Sequence, residues 1–425
     1  MSLPLDLAQP RRVALPSGLG SFDSGPFLES ARAFVAAHWS PAQALRQPAA
    51  ARAAWFQALV RAGRTVPDWP AHWGGAGWRD LECYLWWRTL SEAGAPRPDP
   101  MAIDWVGPAL WLAGSTAQQQ RWLPGVRALE VAWCIALEGL RVPRMRAASS
   151  PWSLTATLPA VPGAAVARHM LLLLVADDVP GGNLVVLDLA APGVSREPVG
   201  TAGAAVVHLV EVAVPADAWV GAQGDGRAIV ARLVARPATW LQPVADLRSV
   251  LESLQEAARE LPGDADISPA EARNAVGLDT DIDTDRDAGM DNDIDADTDT
   301  DRAQGASRLS ADPLFRRRYA ELAHSLLALE ALELRAAELP PNAELALALR
   351  AALPERRARL ADLLDALITD AFGYYSMVGA DPRAIDNEGP IGHHSGVAAL
   401  RARLTAQRAH AVPDWFGLDT PTLGY

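Results

Sequence analysis

The hydrophobic period of this chain changes twice, and that limits its fold more than any other feature. Up to Leu129 apolar residues recur at helical spacing. Pro26 to His38 carries a stripe of Phe27, Ala31, Phe34 and Val35, and Ala51 to Ala62 carries Trp55, Leu59 and Val60 before Gly63 stops it. From Glu130 the runs shorten to strand length: Val131 to Leu137, Trp152 to Thr157, Met170 to Val175, Leu184 to Leu189 and Val206 to Val214, parted by turns such as Asp178 to Asn183. After Gly226 the period is helical again. The expected fold is α+β multidomain: an N-terminal all-α domain over residues 1–129, a small middle antiparallel β-domain of barrel or sandwich type over 130–226, and a C-terminal α-helical bundle over 227–425.

Within the last region, Arg227 to Leu261 reads as one long helix or two shorter ones, with breaks expected at Pro237 and Pro243. Helices resume at Asp312, and further runs span Asn342 to Ala352, Pro354 to Ala371 and Ser395 to His410. An acidic low-complexity insert, 263–308, interrupts them. Between Gly263 and Arg302 fourteen acidic residues face only Arg273, Arg286 and Arg302, so this segment holds eleven of the thirteen net negative charges. Alternating aspartates repel one another and bury nothing, which predicts a disordered surface insertion. Asp283, Asp285 and Asp287 fall where an EF-hand loop has its first ligands, but Ala288 and Ile294 replace its glycine and bidentate glutamate, so no metal site is expected.

The remainder is nearly neutral, which argues against a nucleic-acid partner. The longest aliphatic run, Met170 to Ala176, is too short for a membrane span, and Met1 to Leu19 lacks the apolar core of a secretory signal. A soluble cytoplasmic protein is expected, with Cys83 and Cys134 as buried reduced thiols.

The stretch Pro67 to Trp78, PDWPAHWGGAGW, is too rich in tryptophan, proline and glycine for helix or strand, and reads as an ordered turn before a helix over Leu81 to Ala93 that Asp80 can cap. Next come Gly94-Ala95-Pro96, Val106-Gly107-Pro108-Ala109-Leu110, Gly114-Ser115-Thr116 with Gln118 to Gln120, Leu123-Pro124-Gly125-Val126 and Trp133-Cys134. Each block alone is common loop chemistry. In this order the blocks resemble the acyl-CoA dehydrogenase flavoenzymes. The resemblance extends to Val214-Pro215-Ala216 and the glycines 221, 224 and 226, which are similar to the tail of that family's β-domain.

This resemblance implies FAD, an acyl-CoA substrate and a homo- or hetero-oligomer with a second acyl-CoA dehydrogenase subunit. It also implies a carboxylate that takes the α-proton of the thioester while the β-hydrogen leaves as hydride. Matched to the family's C-terminal motif, Ser395 falls at the expected base position, where an unactivated hydroxyl cannot serve. The first helix after the β-domain, the other known location, has no Asp or Glu from Arg227 to Leu241. Glu388, in the loop with Asp386, His393 and His394, stays open either as a displaced base or as a solvated carboxylate. The flavin strand reads Trp133-Cys134-Ile135-Ala136-Leu137-Glu138-Gly139, without the family's hydroxyl, proline and second glycine, so only backbone contacts from Ile135, Ala136 and Leu137 are expected. The ring-covering strand, Thr157 to Val161, has lost its polar atoms. An arginine for the flavin diphosphate is either Arg232 or Arg236, unless these are ordinary helix charges. Two functions follow from this pattern of losses. One is a degenerate subunit of a hetero-oligomeric dehydrogenase; the other is a non-catalytic scaffold that keeps the fold without flavin or substrate.

Overall fold

A computed structural model describes residues 24–40, 49–142, 152–199, 203–240, 243–260, 309–340 and 343–372. The described residues divide into two compact units, one within 24–249 and 326–361 and the other within 250–260, 309–325 and 362–372.

The larger unit begins with helices α1 (Ser24–His38), α2 (Ala49–Arg61) and α3 (Asp80–Glu92). Their apolar faces meet in an aromatic cluster in which Phe34 lies 5.9 Å from the Trp55 ring and 5.8 Å from that of Trp86. Loop 67–78 is organised by Trp69, which is fully buried and donates its indole N–H to the Ile103 carbonyl at 3.0 Å. Two glycines make that seat possible. A Cβ on Gly75 would stand 2.1 Å from the Trp69 carbonyl oxygen, and one on Gly107 would stand 1.9 Å from its ring. The Gly94-Ala95-Pro96 turn is held because Trp55 donates to the Pro96 carbonyl at 2.8 Å. A π-helical turn, Met101–Val106, leads into α4 (Gly107–Ala113), and α5 (Thr116–Arg127) starts in a capping box between Ser115 and Gln118.

Among the described residues seven strands follow: β1 (Trp133–Arg141), β2 (Trp152–Val161), β3 (His169–Ala176), β4 (Val179–Asp188), β5 (Val194–Val199), β6 (Ala204–Val214) and β7 (Trp219–Val220). They form two sheets, ordered β1-β3-β4-β7 and β2-β6-β5. All pairings but one are antiparallel; β1 and β3 run parallel, in register from Trp133 opposite His169. The first sheet is buried on both faces. Trp133, Ile135, Leu137, Leu171, Leu173 and Val186 join the core under the helices, while Cys134, Ala136, Met170, Leu172 and Leu174 pack into the core shared with the second sheet. That double burial explains why β3 is a continuous apolar run instead of an alternating one.

The expected turn at 178–183 is largely strand. The β3–β4 hairpin closes tightly, with Ala176 opposite Val179, and Gly181 and Gly182 lie inside β4. Their glycines serve close approach: a Cβ on Gly181 would meet the Gly224 carbonyl oxygen at 1.9 Å.

The helical region beyond breaks where its prolines predict. It contains α6 (Gly226–Val234), a short α7 (Pro237–Trp240) and α8 (Ala245–Glu260), followed by α9 (Pro313–Glu338) and α10 (Glu344–Phe372). Pro354 does not divide α10 into the two runs expected from sequence. Ala346, Leu349, Leu353 and Leu360 keep one buried face across it, and that packing outweighs the single backbone hydrogen bond a proline removes. In the smaller unit Val250, Leu254, Phe315, Leu322, Leu364 and Ile368 are buried, Tyr319 donates to Gln255 at 2.9 Å, and Arg318 pairs with Asp370. No described helix is long and apolar enough to cross a membrane. The insert 263–308 and the expected helix over 395–410 lie outside the described residues.

Candidate functional site

The site expected from sequence centres on β1, the edge strand of its sheet. Every residue from Trp133 to Leu137 is at most 3% exposed. Side chains alternate between the two cores, so Trp133, Ile135 and Leu137 face the helices while Cys134 and Ala136 face the second sheet. None of the five carries a hydroxyl. Trp133 meets the Trp122 ring edge-on (6.2 Å) and the His169 ring at a tilt (4.8 Å), and its backbone N–H is held by Asp99, whose carboxylate also accepts from Met101 at 2.9 Å. Burial raises the pKa of Asp99 despite these donors. The strand then bulges. Its pairing with β3 slips between Ala136 and Leu140, with Gly139 at φ 91°, and Glu138 projects from this bulge into solvent.

The two candidate arginines have different surroundings. Arg232 is exposed on α6 and borders a shallow cavity of about 380 Å³ with Leu112, Ala113, Ala222, Asp225 and Ile229. Arg236 is drawn into the helical domain. It pairs with Asp68 of loop 67–78, donates to the Asp104 carbonyl at 3.1 Å and lies 5.4 Å from the Trp111 ring. Its guanidinium is thereby committed to this chain's own groups.

Asp104 itself, on the π-helical turn, was not singled out from sequence. It is 4% exposed and accepts from Arg97 at 2.7 Å, while Arg97 in turn covers the Trp87 ring at 4.3 Å. Burial pushes its carboxyl up to about 7, against the opposing pull of Arg97. Nearby Asp80 is raised to about 6, by burial first and by the Asp68 charge second. The one signal for Asp104 in sequence is an acid inside the apolar run 101–106.

A second buried charge network also escaped the sequence reading. Glu333 on α9 is 0% exposed; it accepts from the Tyr84 hydroxyl at 3.1 Å and from the Val244 backbone N–H at 2.8 Å, and pairs with Arg357. One turn earlier Glu330 accepts from Arg88 at 3.0 Å and Arg248 at 2.5 Å. Nothing in the leucine-rich helical pattern of α9 marks two glutamates as interior. Among the described residues, no three His, Cys, Asp or Glu side chains are grouped to hold a metal. Cys83 and Cys134 are both free and buried. Glu388 and Ser395, like Asp386, His393 and His394, lie outside the described residues.

The sequence model of the acyl-CoA dehydrogenase N-terminal domain matches residues 24–130. The chain is 24% identical to acyl-CoA dehydrogenase FadE29 of Mycobacterium tuberculosis over 230 residues, 50% of this chain and 59% of that one. Across the curated relatives it matches, it spans 21% to 59% of their lengths. Its fold is similar to a chain in the crystal structure of the ChsE4-ChsE5 complex of Mycobacterium tuberculosis, with TM-score 0.64 and 16% identity, covering 94% of this chain and 96% of the other. It is also similar to a chain of the Tcur3481-Tcur3483 steroid ACAD, with TM-score 0.60 and 18% identity, covering 93% and 96%. Residues 24–130 thus match the acyl-CoA dehydrogenase N-terminal domain, and the chain as a whole is similar in fold to solved acyl-CoA dehydrogenase structures.

Proposed function

We propose that the chain is the degenerate subunit of a hetero-oligomeric acyl-CoA dehydrogenase that oxidises the Cα–Cβ bond of an acyl-CoA thioester. A second subunit supplies the complete flavin strand and the carboxylate base. The observation that carries this reading is the state of β1, which is intact as a strand while the side chains of its first five residues, Trp133 to Leu137, are consumed in two cores. Side chains of that set do not fit a flavin, since they offer no hydroxyl, and Arg236 is spent on Asp68. Only the backbone edge of 135–137 suits hydrogen bonding to a planar ring. FAD in the assembly supplies a hydride acceptor, and proton abstraction belongs to the partner's carboxylate, because this chain has serine at the matched base position. The comparisons support pairing, as two of the solved relatives are complexes of two different chains, one of them described as a steroid ACAD. A steroid-bearing thioester is the substrate class this suggests.

The test is expression of the chain alone and together with candidate competent homologues, followed by visible spectra and dye reduction. A colourless solitary chain, with a yellow and active complex on co-expression, is the expected result. Yellow homomeric protein that reduces dye, and loses that activity in Glu388→Gln, refutes the proposal. The second reading, a scaffold without flavin or substrate, is favoured by the sealed side chains of Trp133 to Leu137. It predicts that adding this chain leaves the partner's flavin content and kcat/KM unchanged.

A further inference from the structure

Basic character on this chain is carried by one residue type. All 38 basic residues are arginine, and lysine does not occur in the 425 residues. The thiols are withdrawn as well. Cys83 is 6% exposed and Cys134 0%, and burial pushes the Cys134 thiol up to about 12 and that of Cys83 well above its ordinary value.

Amines and thiols are the side chains that take acyl groups from thioesters. In acyl transfer to a lysine, the neutral amine attacks the thioester carbonyl, a C–N bond forms as the C–S bond breaks, and the proton lost from nitrogen leaves with the departing CoA thiol. Only the unprotonated nucleophile reacts. At pH 8.4 a lysine of ordinary pKa presents about 1% free amine, whereas an arginine presents about a hundredfold less. Hydroxyls need an adjacent base, and among the described residues one hydroxyl–imidazole pair stands out: Thr157 Oγ1 lies 3.2 Å from His208 Nδ1 on the exposed face of β2 and β6.

We infer that this chain offers an acyl-CoA thioester neither a side-chain amine nor an accessible thiol as acyl acceptor, so that it can stand beside such a substrate without acyl transfer to either group. The inference takes its biological meaning from the acyl-CoA reading above, though its chemistry can be tested apart from it. Solvent exposure gives it content, because the basic surface is large. The side chains of Arg121, Arg141 and Arg317 are 62%, 80% and 78% exposed, and each would be an acceptor as lysine. The Thr157–His208 contact lies on an exposed face, where the ring's other nitrogen is 4.0 Å from Glu197 and the two side chains are 40% and 75% exposed, so both are held in water.

The experiment exposes the purified full chain and a triple variant, Arg121→Lys/Arg141→Lys/Arg317→Lys, to millimolar acetyl-CoA at pH 8.4, followed by intact-mass and peptide mapping. Acetylation of the parent at its N-terminal amine and at neither cysteine, with all three introduced lysines acetylated roughly a hundredfold faster than either thiol, is the expected result. Acetyl groups on Cys83 or Cys134 of the parent at a rate within about tenfold of the lysines overturn the inference. Calorimetric titration of acyl-CoA into the co-expressed assembly decides the proposed function separately, because the mass result does not depend on a binding site.

Discussion

Removing the Glu333 carboxylate should cost more stability than any other single truncation in the helical region. Glu333 is fully buried and serves three elements at once: Tyr84 on α3, the Val244 amide before α8, and Arg357 on α10. Glu333→Ala removes an acceptor shared by the Arg357 guanidinium, the Tyr84 hydroxyl and the Val244 amide. Breaking a buried ion pair by deleting one partner costs about 3–5 kcal/mol, a substantial share of the about 5–15 kcal/mol by which a domain is stable. Glu333→Gln keeps an acceptor oxygen and should cost less, about 1–3 kcal/mol. Urea unfolding followed by tryptophan fluorescence reads both. pH adds a second check. Burial raises the Glu333 pKa above its ordinary 4.5, so the folded state binds more protons than the unfolded one from that value upward. Stability from this group is therefore full at low pH and declines as pH rises through the raised value. Glu333→Gln should show a shallower decline than the parent, keeping the part that Asp104 and Asp80 contribute. A Glu333→Ala variant within 1 kcal/mol of the parent (about the worth of one ordinary hydrogen bond) would refute the assigned role.

Three further outcomes follow from the geometry. Gly107→Ala should displace Trp69 from the Ile103 carbonyl and destabilise by about 1–3 kcal/mol, visible as a shifted unfolding midpoint and altered tryptophan emission. Arg236→Lys should behave much like Arg236→Ala in thermal unfolding, because a compact ammonium cannot reproduce the fork to Asp68 and Asp104 or the contact with Trp111; full retention of stability by lysine would contradict this. Asp104→Asn should flatten the loss of stability that its raised carboxyl, near 7, predicts between about pH 4 and pH 7, measured by urea midpoints across that range.

The order of helices, strands and helices was legible because period alone separates them, and prolines 237 and 243 marked real breaks. So was the loop around Trp69, whose Gly-Gly pair announces a close approach. What period cannot register is a residue's company. β3 looked like any apolar strand, and its parallel pairing with β1 depends on a connection that crosses between sheets. Pro354 looked like a helix end, yet the buried leucines on either side of it hold α10 continuous.

The sequence by itself determined the order of helices, strands and helices and the absence of a hydroxyl from Trp133 to Leu137, since these are matters of residue type and spacing along the chain. Tertiary structure alone decided that Trp133 to Leu137 are sealed between two cores, that Arg236 answers to Asp68, and that Glu330, Glu333 and Asp104 are interior. Those facts arise where segments distant in sequence exclude water from a charge, and the energy of a charge depends on what surrounds it in space.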